Sequence, residues 1–227
     1  MIEQLGLDLP SRTALGRDAF FVAPSNAMAM AMIDAWPDWA GGKLALTGPA
    51  GSGKTHLTHV WAERAKATIL SARDLSATDI PTLGRSALAV EDIPDIASDE
   101  SAQVALFHLH NLVLAEEHTL LLTGTGPVQH WGLTLPDLVS RLRGATAVAL
   151  EPPDDVLLSA LLVKLLADRQ LTPKPDLVPY LLPRIDRSFA AAIAVIEQLD
   201  SASIALKRPV TRALAAQVLD KGDAPEE

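Results

Sequence analysis

The chain has 227 residues, 48% of them hydrophobic, a net charge of −9 and no cysteine. That length and apolar content suit one large domain or a core with a small companion, and the lack of thiols excludes disulfides, thiolate nucleophiles and cysteine-based zinc sites, as expected in a reducing compartment. From Glu151 onward nine Lys and Arg face twelve Asp and Glu, which excludes a basic module that would displace counterions from duplex DNA. A partner protein is the better expectation. Val156 to Ala167 is too short and too interrupted, by Lys164, to span a bilayer, and Glu3 and Asp8 stand where a signal peptide would be basic. No membrane association and a cytoplasmic location are therefore expected.

Gln4 to Leu9 places Leu5, Leu7 and Leu9 at alternate positions, the pattern of an extended segment. It is read as a first strand, a tail folded on the chain's own core, or a peptide that drops leucines into a partner's pockets, each fully buried Leu contributing about 1.5–3 kcal/mol. A polar stretch, Ser11 to Asp18, follows. Ser25 is expected to cap a helix over Asn26 to Ala35, and Pro37 to Gly42 to loop into a strand at Leu44 to Thr47. Helix is predicted from Lys54 to about Lys66, strand at Ala67 to Leu70, a loop marked by Pro81 and Gly84, and strand at Ala87 to Val90. Asp99 should cap a long helix toward Glu117, followed by strand at Thr119 to Thr123, a short helix from Pro136 to Arg143 and strand at Thr146 to Leu150. Such alternation builds a parallel sheet. After Leu150 only helices are predicted: Pro152 to about Gln170, Asp176 to Leu182, Ser188 to Leu206 and Thr211 to Leu219. The expected fold is α/β with a parallel five-stranded sheet, then an all-helical lid. Its expected divisions are 1–15 as peptide and linker, 16–151 as core, 152–220 as lid and 221–227 as a frayed tail.

Gly48, Pro49, Ala50, Gly51, Ser52, Gly53, Lys54 and Thr55 spell a complete GxxxxGK[ST] phosphate loop between the predicted strand and helix. Its glycines let successive N–H groups turn toward phosphate oxygens, Lys54 neutralises the terminal phosphates, and the Thr55 hydroxyl can ligate Mg2+. The helix beginning there adds its positive dipole end. The chain is expected to bind ATP or ADP. Other histidines and serines suggest no chemistry: His56 and His59 have the spacing of a helical metal pair, but no acid or thiol completes a site. They are read as packing or surface residues. His108 and His110 cannot share a helical face, and Ser140 lacks a His and Asp to activate it.

An α/β nucleotide core with a helical lid resembles the AAA+ ATPases, and several segments resemble the DnaA family within them. FVAPSN, Phe21 to Asn26, is similar to the motif that precedes the family's first helix, implying that Phe21 and Val22 wall the adenine pocket, while GPAGSGKTHL carries the match through His56 and Leu57. LPDLVSRL, Leu135 to Leu142, resembles the stretch that presents an arginine finger, and IEQLDSASI, Ile196 to Ile204, resembles the lid helix of the Hda branch, so the resemblance covers nearly the whole chain. Nothing from Asp220 to Glu227 would form the DNA-reading domain that follows the DnaA lid, and Gln4-Leu5-Gly6-Leu7-Asp8-Leu9 resembles the peptide by which that branch grips the sliding clamp of the replicative polymerase. The resemblance therefore implies a regulator that meets DnaA while loaded on the clamp, with DNA contact mainly indirect and a homodimer among its possible states. The function implied is stimulation of ATP hydrolysis by DnaA, which restrains replication initiation.

The resemblance also assigns the chemistry. Glu91 would hold Mg2+, directly or through water, Asp92 would sit near the attacking water, and Thr125 falls where a first sensor residue belongs. The family's usual strand-tip pair is two aspartates, and glutamate is one methylene longer, which strains tight magnesium geometry. The second sensor, normally an arginine, falls on Ala190, for which Arg187 is the substitute; a surface charge is its plainer reading. These departures predict slow intrinsic hydrolysis. Arg141, with Arg143 as its rival, is the finger residue, supplied across a subunit boundary. A helicase-loading or other DNA-transaction ATPase is the alternative, and a P-loop small-molecule kinase a third reading.

Overall fold

The computed structural model describes residues 21–222. The leucine peptide with Gln4, Leu5, Leu7 and Leu9, and residues 223–227, lie outside them. In the described chain α1 (Ala27–Asp34) precedes β1 (Lys43–Thr47), α2 (Lys54–Ala65), β2 (Thr68–Ser71), α3 (Ile80–Leu83) and β3 (Leu88–Glu91). Then come α4 (Glu100–Ala115), β4 (Leu120–Gly124), α5 (Pro136–Arg143) and β5 (Thr146–Ala149). All pairings are parallel, in the order β2-β3-β4-β1-β5.

The sheet is covered on both faces, which is why its strands are nearly continuous apolar runs and still obey a period of two. Leu44, Leu46, Ala89 and Leu121 pack with Trp39 and Trp61 toward α1 and α2. Ala45, Leu88, Val90, Leu120 and Leu122 point the other way, against Leu106 and Leu109 of α4 and Leu138 and Leu142 of α5. The phosphate loop leaves the end of β1, an interior strand flanked by β4 and β5.

Two local expectations need correction. Ser25 does not cap α1: Asn26 holds the N-cap position, and its amide turns back to accept from Ala23 N at 2.9 Å and donate to Phe21 O at 2.9 Å. The amide presents its acceptor and its donor on two separate atoms, Oδ1 and Nδ2, which reach the two ends of that turn at once. Pro81 and Gly84 do not mark a plain loop: Pro81 lies within the single turn of α3, where a proline near the N-terminus forgoes no helical hydrogen bond, and Gly84 is its C-cap.

The lid comprises α6 (Asp155–Asp168), α7 (Leu177–Leu181), α8 (Phe189–Leu206) and α9 (Arg212–Gly222). Pro152 and Pro153 precede α6 instead of starting it; Asp154 is its cap, accepting from Leu157 N at 2.8 Å. Leu158, Leu162, Leu177, Leu181, Ile196, Leu199 and Leu214 form its separate core. By length and composition α8 is a helix able to cross a membrane, which attention to Val156–Ala167 overlooked. Here it packs as a lid helix: Val195, Ile196 and Leu199 are buried, and Glu197 and Asp200 both approach Arg169, the C-cap of α6, at 3.1 and 4.0 Å.

Candidate nucleotide site and arginine-bearing helix

The phosphate loop joins the end of β1 to α2, and close backbone approaches dictate its glycines. A Cβ on Gly48 would stand 2.5 Å from Leu150 O, and one on Gly51, whose φ is +71°, 2.5 Å from Ser188 Cβ. Ser188 is the cap of α8, its Oγ accepting from Ala191 N at 3.0 Å. Phe189 N donates to Gly51 O at 2.9 Å, and the Phe189 ring lies over Gly53 and meets His56 edge-on, centroids 6.5 Å apart. The lid therefore sits directly on the loop, a contact that only two glycines at these positions allow.

Lys54 is buried, its Nζ donating to Gly48 O at 2.9 Å and Pro49 O at 2.8 Å. Burial, the larger cause, pulls its ammonium below the ordinary lysine range; Asp92 and then Glu91 act in the opposite sense. Glu91 closes β3, and burial chiefly raises its carboxyl while the Thr55 hydroxyl, hydrogen-bonded to it, opposes the rise. Its Oε1 is buried with no hydrogen-bond partner, as is Ser52 Oγ within the loop. These two orphaned oxygens mark a polar site designed for a guest that supplies donors or charge. Pro49, Ala50 and Thr55 are exposed.

Asp92 follows with φ +56°, a left-handed conformation uncommon outside glycine. Its amide donates to Thr123 Oγ1 at 3.1 Å, so the side chain that ties the acidic tip to β4 is Thr123, buried at the penultimate position of that strand. Thr125 is exposed just beyond β4. The loop carrying it is pinned by Trp131, which donates from Nε1 to Gly126 O at 3.0 Å and packs against Gly124. Sequence reading missed Thr123 and Trp131; the tryptophan so close to TGTGP was the available signal.

Arg187 does not lie on a helical face with Ala190. Because Ser188 satisfies the first-turn amide, α8 starts at Phe189, and Arg187 stays in the preceding bend with its guanidinium 2.8 Å from Asp155 of α6. His56 is half-buried and packs edge-on against Phe189, as the packing reading expected. Burial first, then Lys164 of the lid, then His59 depress it to about 4. Among the described residues no three His, Asp or Glu side chains converge on a metal position. Phe21 and Val22 are about half exposed, 49% and 44%, in a segment tied to the core–lid linker where Glu151 N donates to Ser25 O at 3.2 Å.

Arg141 and Arg143 are both exposed in the last turn of α5. Among the described residues no ion pair engages the Arg141 guanidinium. The Arg141 carbonyl accepts from Nζ of Lys43, the first residue of β1, at 2.7 Å. The phosphate loop begins only after Thr47, so roughly the run of the strand, about 13 Å, separates that anchor from the chain's own loop.

No family model matches the chain. Among solved structures it is similar to domain III of the replication initiation protein DnaA from Thermotoga maritima, with a TM-score of 0.81 and 16% identity over 96% of this chain and 100% of that one. It is similar to AMPPCP-bound DnaA from Aquifex aeolicus, with a TM-score of 0.68 and 21% identity over 79% of this chain and 63% of that one. The RuvB Holliday junction branch migration motor of Thermotoga maritima matches with a TM-score of 0.69 and 15% identity over 91% of this chain and 71% of that one. At such identities the likeness is one of fold: a five-stranded parallel sheet with its helices, shared with DnaA and RuvB.

Proposed function

We propose that the chain is an Hda-like regulator, cytoplasmic, that binds ADP or ATP in its phosphate loop and stimulates ATP hydrolysis by DnaA while loaded on the sliding clamp. One observation carries this reading: Arg141 is exposed, unpaired among the described residues and remote from the chain's own phosphate loop. A guanidinium so placed is suited to another subunit's nucleotide, where fingers of this class contribute about 10³–10⁵ in rate. The chain's own pocket is poor in such charge, with Ala190 on α8 and Arg187 held by Asp155.

The residues present fit a divalent cation. The orphaned Glu91 Oε1 and the adjacent Thr55 hydroxyl are hard oxygen donors of the kind Mg2+ takes beside phosphate oxygens. Such an ion would supply charge neutralisation at the terminal phosphates. Lys54 would bind and orient those phosphates, Asp92 would stand by the attacking water, and Phe189, lying over Gly53, would keep bulk water from the loop side. Phe21 and Val22 would wall the base.

The test mixes the full chain, sliding clamp on DNA and ATP-loaded DnaA, and reads phosphate release. Arg141→Ala should abolish stimulation and leave ADP binding intact. Gln4→Ala with Leu5→Ala should remove the clamp-dependent stimulation, with Leu7 and Leu9 completing that peptide. Unchanged stimulation by Arg141→Ala overturns the reading.

A further inference from the structure

Helix α5 has eight residues and no cap of its own. Helices so short are marginal in isolation, and their terminal amides and carbonyls need partners. Both ends of α5 receive them from buried side chains elsewhere. At its start, Gln103 of α4 accepts at Oε1 from Thr134 N at 2.9 Å and Leu135 N at 3.0 Å, while its Nε2 donates to Ile96 O and Ala97 O. At its end, Lys43 Nζ donates to Arg141 O at 2.7 Å and meets His110 Nε2 of α4 at 3.1 Å. All three side chains are buried, at 1%, 8% and 2% exposure for Gln103, Lys43 and His110.

The chemistry of the second group fixes its protonation. An ammonium is donor only, so beside a charged Lys43 the Nε2 of His110 presents its lone pair and the ring proton sits on Nδ1, 3.3 Å from Asn111 Oδ1; burial first, then the Arg141 charge, pull that ammonium below the ordinary lysine range. Burial first, then Lys43, then Arg141 depress the imidazole, although its Asn111 hydrogen bond acts the other way, in keeping with a neutral ring. No carboxylate is needed: the negative end of the α5 dipole and the imidazole lone pair serve the cation. Gln103 and His110 lie two turns apart on one face of α4, roughly 10 Å, which matches the length of α5. Leu138 and Leu142, both buried, fill the space between.

We infer that Gln103, His110 and Lys43 are positioning residues that hold both ends of α5 so that Arg141 is presented at a fixed height to nucleotide bound by a neighbouring subunit. This rests on the reading of Arg141 given above. A displacement of about 1 Å far from the chemistry can cost on the order of 100-fold in rate, so the anchors act on the maximal rate and not on docking.

The experiment uses the full chain with clamp on DNA and ATP-loaded DnaA. Lys43→Met and His110→Leu should lower maximal stimulation about 10- to 100-fold at an unchanged half-saturating concentration and unchanged ADP affinity. His110→Gln, which keeps an acceptor for Lys43, should restore most of it. Amide exchange at Leu142 to Ala145 should accelerate in Lys43→Met while β1 and β4 stay protected. Full stimulation by Lys43→Met beside an inactive Arg141→Ala overturns the positioning role and leaves the function standing; full stimulation by Arg141→Ala overturns both. Should Lys43→Met fail to fold, Gln103→Met tests the other end, and stimulation at the wild-type rate overturns the inference.

Discussion

Gly51→Ala tests whether the lid rests on the phosphate loop as described. Gly51 has φ +71°, and an added Cβ would lie 2.5 Å from Ser188 Cβ and 3.2 Å from Ser188 Oγ. The left-handed backbone alone costs a non-glycine residue about 1–2 kcal/mol. The clash adds about 1–3 kcal/mol if the lid stays. If the lid lifts, the hydrogen bond from Phe189 N to Gly51 O, 2.9 Å here, is lost, at about 0.5–1.5 kcal/mol. The expected total is about 3 kcal/mol. Ser188→Gly removes the opposing Cβ and, as a cap replacement by glycine, should cost only a few tenths, about 0.3 kcal/mol. The double variant should therefore recover the steric share and keep the backbone share, about 1–2 kcal/mol. Urea unfolding of the four proteins gives the cycle, with binding of a fluorescent ADP analogue as a second readout. Strictly additive costs would mean that Ser188 and Gly51 do not meet, and would refute the seated lid.

Three further outcomes follow from the same geometry. His56 sits near 4 when folded and about 6.5 when unfolded, so the unfolded chain holds the extra proton between those values and stability falls as pH drops from 6.5 toward 4. The full shift corresponds to about 3 kcal/mol, and solvent screening at this half-buried site reduces it to about 1–2 kcal/mol. His56→Gln should flatten the change in urea stability between pH 7.5 and 4.5 by that amount, and an unaltered pH dependence counts against the assignment. Gly124→Ala would bring a Cβ to 2.5 Å from Trp131 Cε2, so the buried indole must leave its place against β4. A red-shifted tryptophan emission and a loss of about 1–3 kcal/mol should accompany it; a wild-type spectrum contradicts the packing. Single-turnover ATP hydrolysis by the isolated chain should be slow, because Arg187 is held by Asp155 and Ala190 offers no charge. Turnover at rates typical of AAA+ motors would contradict that.

Local signals were legible in the sequence, and long-range ones were not. GPAGSGKT sits between β1 and α2, as strand-loop-helix chemistry requires, and the apolar runs at Leu88–Val90 and Leu120–Leu122 became central strands because only a doubly covered sheet suits them. Asp99 caps α4 as read, accepting from the amide three residues on, since capping depends on neighbours in the chain. Thr123, Gln103 and Lys43 passed unnoticed because their partners lie 31, 31 and 98 residues away. Arg187 was misplaced for a related reason: its spacing to Ala190 suggested a shared face, but the cap begins the helix between them.

Sequence reading favoured Arg141 as the finger and kept Arg143 as its rival; the backbones of the two offer different support for that role. Two residues apart on a helix, they point in divergent directions, and they differ in how their backbones are held. The carbonyl of Arg141 is fixed by a buried ammonium, whereas Arg143 is the last residue of α5, followed by exposed Gly144. Terminal turns fray, and a guanidinium on a fraying residue must be ordered anew each time it meets a partner. A group that stabilises transition-state charge gains from being fixed in place beforehand. The anchored position is therefore the better platform, and the burial of Lys43 beneath it, without a carboxylate, is understandable as the means of fixing it.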